Sequence, residues 1–332
     1  MRNEGQDKGT GIFQHPVWVS ILALTAAIVW GWAYPLIKMG FEEFRIGPSM
    51  TGSKMLFAGI RFTVSGIIIL AAAKIAGRSF HIKPQAAGHE KESHRVWDVA
   101  AFVLIFSLLN TTLHYTFFYI GLSYSQGARA AILNSMSVFT VVILACIFFK
   151  SDRMTLRKAL GVIIGITGIL TLNGDALVGE ASQYRSGEML GDLMIILNAL
   201  CSAFASLMTR GLARRTDVFV GTGYSLAIGG ILTIVPGIMM GGTLPRITPW
   251  GMTILMLLVA ISTIGFTLYN RLLATNPVGR IAIYNSLIPV VGAVSSCWCL
   301  GEPFYRKYVI AGTLAATGIY LINKGQTDKS VK

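Results

Sequence analysis

Residues 128–173 read ARAAILNSMSVFTVVILACIFFKSDRMTLRKALGVIIGITGILTLN, and the pattern returns later in the chain. An offset of 151 carries Arg129 onto Arg280, Ala131 onto Ala282, Ile132 onto Ile283, Asn134 onto Asn285, Ser135 onto Ser286, Cys146 onto Cys297 and Gly161 onto Gly312. With one residue dropped, an offset of 150 carries Thr167-Gly168-Ile169 onto Thr317-Gly318-Ile319 and Asn173 onto Asn323. Self-similarity at one long period marks a duplicated unit. The copies are not equal: Pro289 has Val138 in its place, and Gly301-Glu302 corresponds to Lys150-Ser151, with Asp152 following.

The chain has 332 residues, of which 53% are hydrophobic and only 13% charged. Soluble domains carry about 25% charged residues, so the solvent of most of this chain is lipid. Its apolar runs are repeatedly near the length of about 20 residues that a bilayer demands of a helix. The net charge of +13 does not point to nucleic acid. The basic residues sit in short loops between apolar runs, a pattern that sets membrane orientation. Cys146, Cys201, Cys297 and Cys299 all fall inside apolar runs and read as small buried side chains. Residues His81, His89 and His94 share a polar loop, but at irregular spacing and without a completing Cys or carboxylate, so the loop reads as solvated rather than metal-binding.

After a polar tail over 1–15, ten apolar spans follow. They lie at about 16–38, 55–76, 99–121, 128–149, 159–173, 189–209, 218–240, 251–273, 281–300 and 308–323. The first is too long for a signal-peptide core and carries Trp30-Gly31-Trp32 where a cleavage site would need small residues. Pro35 kinks it or ends it early. The first repeat covers 16–174, the second 189–323, and 324–332 is a second tail. Five spans per repeat is an odd number, so the second copy enters the bilayer from the opposite side, giving an all-α membrane fold of two inverted five-helix repeats. With the N-terminus in the cytoplasm, cytoplasmic segments hold roughly twice as many Lys and Arg as the opposite face, which puts both termini inside.

These residues resemble a ten-helix member of the drug/metabolite transporter superfamily with two EamA-type repeats. The likeness is carried by Trp30-Gly31, by Arg61-Phe62, and by Gly121-Leu122 followed by Gly127-Ala128-Arg129-Ala130-Ala131. It is carried further by Gly161, Gly165 and Gly168, and by Leu300-Gly301-Glu302 followed by Gly312 and Gly318. It extends over about residues 18–323. One departure is Lys150-Ser151-Asp152, where the family has a second Gly-Glu pair closing helix 4. The resemblance implies a multi-pass carrier of the bacterial inner membrane, often an exporter of amino acids or other metabolites. It also implies a central cavity lined by helices 1, 3, 4, 6, 8 and 9, with helices 5 and 10 at the periphery.

Polar groups inside a bilayer are costly, so each asks for an explanation. The third span has Ser107, Asn110 and His114 at spacings of three and four, one stripe on an α-helix, followed by Tyr115. The sixth has Asn198, Ser202 and Ser206. The first has Trp30 and Tyr34, one turn apart, and the eighth has Ser262-Thr263 and Tyr269-Asn270. Asn134 opens the fourth span as Tyr284-Asn285 opens the ninth. Ser and Thr read as interhelical contacts. The candidate substrate-binding residues are Trp30, Tyr34, Asn110, His114, Tyr115, Asn134, Asn198, Ser202, Tyr269, Asn270, Tyr284 and Asn285, because an Asn has more donors and acceptors than a helix contact satisfies. Arg129 and Arg280 oppose the macrodipole at helix starts, so they read as paired entrance residues, one per face. Arg61 reads as structural, snorkelling outward or paired with Glu42 or Glu43. The glycines of the fifth, seventh and tenth spans read as packing sites, and Gly229-Gly230 with Pro236 as a bendable stretch.

No Asp or Glu falls in the middle third of any span, so a carboxylate proton relay is disfavoured, and His114 is the mid-span group able to titrate near neutral pH. No nucleotide motif and no catalytic constellation is present, so neither ATP hydrolysis nor an intramembrane enzyme is expected, and no cofactor is required. The expectation is a secondary carrier working by alternating access on an amino acid or similar amphiphile; the other reading is a membrane protein of structural or sensory role. Its partners are the cargo and the bilayer, with a homodimer through the short fifth and tenth spans allowed but not required. Fusing green fluorescent protein or alkaline phosphatase to Lys332 tests the orientation. Fluorescence without phosphatase activity is expected, and the reverse would place the termini outside.

Overall fold

The computed structural model describes residues 12–82, 92–148, 154–172, 187–276, 281 and 283–330. Among them the secondary structure is helical, with helices α1 (Pro16–Gly31), α2 (Ala33–Glu43), α3 (Thr51–Ile75), α4 (Glu92–Ser107) and α5 (His114–Tyr124). They continue with α6 (Gly127–Asn134), α7 (Met136–Phe148), α8 (Leu156–Leu172), α9 (Glu188–Arg215) and α10 (Val218–Met239). The last are α11 (Pro249–Thr275), α12 (Leu287–Leu300) and α13 (Arg306–Ser330). They form ten spans, because α1–α2, α4–α5 and α6–α7 are each one interrupted span and a 3₁₀ turn over Ile283–Ser286 leads into α12. Seven spans are long and apolar enough to cross a bilayer, with mean hydropathies of 1.5 to 2.3, and Leu287–Leu300 adds a shorter apolar helix. Large apolar side chains such as Ile67, Ile147, Ile163 and Trp298 are more than half exposed, as a lipid-facing surface requires.

Each interruption has a local cause. Pro35 has no N–H to give the Gly31 carbonyl and its ring crowds that turn, so the first span breaks between α1 and α2, four residues before the proline. The Ser295 hydroxyl approaches the freed Gly31 oxygen at 3.5 Å. The third span contains a π-helical turn over Leu108–Leu113. That widened turn breaks the stripe expected of Ser107, Asn110 and His114, because an α-helical spacing of four no longer returns to one face. The fourth span stops at Asn134 and the Ser135 hydroxyl turns back to the Ile132 carbonyl at 2.6 Å. The duplicated Asn285-Ser286 lies in the 3₁₀ turn, so both copies break their helix at the same pair of residues. Gly301 ends α12 at φ 61°, a left-handed conformation natural to glycine, and so turns Glu302 back toward the molecule. The last helix runs on to Ser330, where the sequence suggested a tail from 324.

The repeat reappears in the packing. The most extensive helix pairs are α3 with α10 and α8 with α13, the second and fifth spans each against its counterpart from the other repeat. In the first pair, glycines seven residues apart face each other antiparallel: Gly52 meets Gly237, Gly59 meets Gly230 and Gly66 meets Gly223. A Cβ on Gly59 would lie 2.8 Å from the Gly230 oxygen, and one on Gly66 would lie 2.7 Å from the Gly223 oxygen. In the second pair a Cβ on Gly161 would lie 2.7 Å from the Gly318 oxygen. The glycines of the fifth span are therefore used within the chain. The stretch Gly229-Gly230-Pro236 stays inside one unbroken helix, α10, its glycines taken by contacts with Thr111 and Thr63 rather than by a bend.

Such backbone contact leaves no room for a side chain. Gly66→Val is expected to cost about 1 to 3 kcal/mol by overpacking. Gly312→Ala is expected to be neutral, since a Cβ there would meet nothing within 4 Å. Melting of the detergent-purified variants by tryptophan fluorescence checks this, and equal midpoints would contradict it.

Candidate functional site

Two polar groups meet at the centre of the bundle, joined by the first span. In one, the Asn198 amide donates to the Asn134 oxygen at 2.6 Å, and the Asn134 amide donates to the Tyr34 hydroxyl at 2.9 Å. Asn134 is available because α6 ends on it, and Asn198 is fully buried in the middle of α9. The Asn198 backbone lies beside the His114 imidazole. The His114 Nδ1 and the Asn198 Oδ1 are both buried without a hydrogen-bond partner. Tyr115 closes one side, its ring 3.9 Å from Phe62 and 4.3 Å from His114, and Phe118 packs edge-on to Tyr34 at 5.4 Å.

In the other group, the Asn285 amide donates to the Tyr269 hydroxyl at 2.8 Å, and the Tyr269 ring meets Trp30 edge-on at 5.1 Å. Trp30 also packs on Phe266 at 5.5 Å and fills space that Gly265 leaves open. The duplicated asparagines thus do the same chemistry in both repeats: each sits where its helix breaks and gives its amide to the hydroxyl of a tyrosine from another span. Three candidates lie apart from these groups. Asn110 donates to Ser225 at 2.9 Å and Asn270 to Thr222 at 2.6 Å, both toward α10. Tyr284 donates to Ser20 at 2.6 Å. Ser202 lies one turn beyond Asn198, with its carbonyl accepting from Ser206 at 2.8 Å.

An open cavity of about 1130 Å³ lies at the end of the bundle opposite the termini, lined among others by Lys38, Gln126, Arg129, Glu188, Glu302 and Tyr308. Of the residues read from the sequence, Arg129 lines it; Arg280 lies outside the described residues, as does Asp152. Between this vestibule and Tyr34 stands a set of contacts that crosses between repeats. Lys38 Nζ reaches Glu302 Oε1 at 2.8 Å and the Ser125 carbonyl at 3.0 Å. Glu302 caps α6 by accepting the Gly127 N–H at 2.9 Å and the Ala128 N–H at 3.2 Å, where a carboxylate is favoured by the helix dipole. Arg129 forms a two-point pair with Asp192, at 3.0 Å and 2.5 Å, and both residues are buried. Arg129 is therefore held in protein rather than in headgroups, and losing one member of such a pair costs about 3 to 5 kcal/mol. Tyr308 donates to Gln126 across the same seam. Lys38 and Asp192 were missed as site residues; the signal was a single acid and a single base inside otherwise apolar span ends.

Arg61 does not snorkel. It is 2% exposed, with Nε donating to the Leu258 carbonyl at 3.1 Å and to Ser262 at 2.8 Å, and Nη1 donating to Tyr119 at 2.9 Å. Glu43, one suggested partner, instead accepts from Thr248 at 2.7 Å. Ten residues of α3 precede Arg61, which puts it near mid-helix, too deep to reach the interface once its stem is packed.

The family model of the EamA-like transporter family matches residues 17–174 and 189–324. The chain is similar to YvbV, a transporter of Bacillus subtilis, at 24% identity over 94% of this chain and 93% of that protein. A protein of Escherichia coli named as an amino-acid metabolite efflux pump is 22% identical over 91% of this chain and 93% of its own length. A solved crystal structure shares the fold with a TM-score of 0.59 at 16% identity, covering 92% of this chain and 97% of that one. Two repeats, their broken fourth and ninth spans and the match of both to one family model agree: the chain is a multi-pass membrane protein of the EamA-like transporter family.

Proposed function

We propose that the protein is a secondary carrier that exports an amino acid or a similar small amphiphile by alternating access, from a bacterial inner membrane with both termini in the cytoplasm. The observation that carries this reading is the pair of broken helices. Each repeat interrupts one span at its Asn-Ser pair, and irregular backbone at membrane depth is tolerated where it lines a cavity or is buried in protein. The asparagines there face aromatic rings and polar groups of the facing spans, a lining suited to a small molecule with both apolar and hydrogen-bonding parts. The name of the Escherichia coli relative supports the amino-acid class.

The vestibule and the contacts beneath it supply a gate. Lys38–Glu302 and Arg129–Asp192 each join the first repeat to the second, so rocking the repeats apart at that end must break them, and closing must remake them. Charged pairs suit this use because their strength falls when water enters.

Purified protein in liposomes, assayed for counterflow against a panel of amino acids and related metabolites, tests the reading. Saturable flux of at least one compound is expected, and folded protein that moves none would contradict it. Tyr34→Phe, which strands the buried Asn134 amide, is expected to raise the half-saturation concentration about ten-fold. An unchanged value would remove the Tyr34–Asn134 group from the cargo path.

A further inference from the structure

Arg61 is a buried cation that nothing in the described chain neutralises. Its acceptors are a carbonyl and two hydroxyls, all neutral, and no carboxylate among the described residues pairs with it. A guanidinium carries five N–H donors in a fork shaped for a carboxylate, and two nitrogens supply the contacts here. A packing role needs no charge, and an uncompensated charge at membrane depth is expensive. Lys54, the other buried cation of α3, differs: it sits at the membrane end of the helix, against the Pro48 carbonyl and 4.9 Å from the Tyr124 ring.

Arg61 also adjoins the central group. Its guanidinium lies 4.9 Å over the Phe62 ring, which meets Tyr115 at 3.9 Å. Its partner Tyr119 packs on Phe118 at 6.1 Å, and Phe118 on Tyr34 at 5.4 Å. One aromatic wall therefore runs from the guanidinium to the Tyr34–Asn134–Asn198 chain. At the far end of that wall the unmet demand has the opposite sign: Asn198 Oδ1 and His114 Nδ1 are buried acceptors without donors. The protein has unspent donors and positive charge at one end and unspent acceptors at the other.

We propose that Arg61 is a cargo-binding residue and that its ligand is a carboxylate carried by the transported molecule. The Tyr119 hydroxyl is the neutral placeholder that the carboxylate joins or displaces. This rests on the carrier reading and narrows it: neutral and purely cationic cargo would leave the Arg61 charge uncompensated, whereas a carboxylate neutralises it.

The test is a thermal-shift titration of the purified protein with amino acids, their carboxamides, and the simple carboxylates acetate, butyrate and phenylacetate, on wild type, Arg61→Lys and Arg61→Gln. Wild type is expected to bind an acid at least about ten-fold more tightly than its amide. Arg61→Lys is expected to weaken the acid about ten-fold while keeping the preference, and Arg61→Gln to bind acid and amide alike. A merely structural arginine would lower stability in the variants without changing the ratio of acid to amide. Equal binding of acid and amide by wild type, a preference surviving in Arg61→Gln, or no response of wild type to any carboxylate would overturn the proposal. Where Arg61→Gln does not fold, the drop in Arg61→Lys decides. Vesicle flux separates the two levels: flux of amines with no carboxylate preference sinks the Arg61 assignment and spares the carrier, whereas carboxylate binding without any flux does the reverse.

Discussion

A bilayer offers no water to an open backbone group or an unpaired charge, and that constraint organises the molecule. Several departures from plain apolar helix are therefore answered from another span. The break after Asn134 is answered by Tyr34 and Asn198, the duplicated break at Asn285 by Tyr269, and the start of α6 by Glu302. Because the answering residue comes from a different span each time, the breaks also fix which spans are neighbours. The glycine faces of α3 and α10 permit backbone contact without side chains between, which holds these two spans close together.

The two interface types differ in what it takes to part them. The glycine seams Gly52–Gly237 to Gly66–Gly223 and Gly161–Gly318 gain from dispersion at close range and lose it steeply with separation, so they suit surfaces that stay together. The pairs at the vestibule, Lys38–Glu302 and Arg129–Asp192, are few and discrete, and each has an alternative partner in water when exposed. A carrier that rocks needs both kinds, and here they occupy different places: glycine along the α3–α10 and α8–α13 pairs, charge at the mouth.

The duplication, the ten spans and the inverted order were legible in the sequence because each rests on a period or a length. Asn134, Asn285 and Tyr34 were legible as central because a polar group in a long apolar run has few other uses. Their partners were not, since Asn134 to Asn198 and Asn134 to Tyr34 are contacts across distant spans that no local spacing encodes. The Asn110–His114 stripe failed because it assumed α-helical geometry through a π-helical turn. Arg61 was misplaced because position along a helix does not say which face is packed, and its aliphatic stem made an outward reach equally natural. The seven-residue glycine spacing of α3 and α10 was present in the sequence but shows its meaning only when the two helices are laid antiparallel.

The central claim is that two repeats move against each other across a charged seam. Replacing the four native cysteines and placing spin labels at the exposed rim positions Ser49 and Phe304, one from each repeat, lets electron–electron resonance report the width of the mouth. Two distance populations are expected, with Glu302→Gln moving weight to the longer one. A single distance, unchanged by Glu302→Gln, would contradict the account.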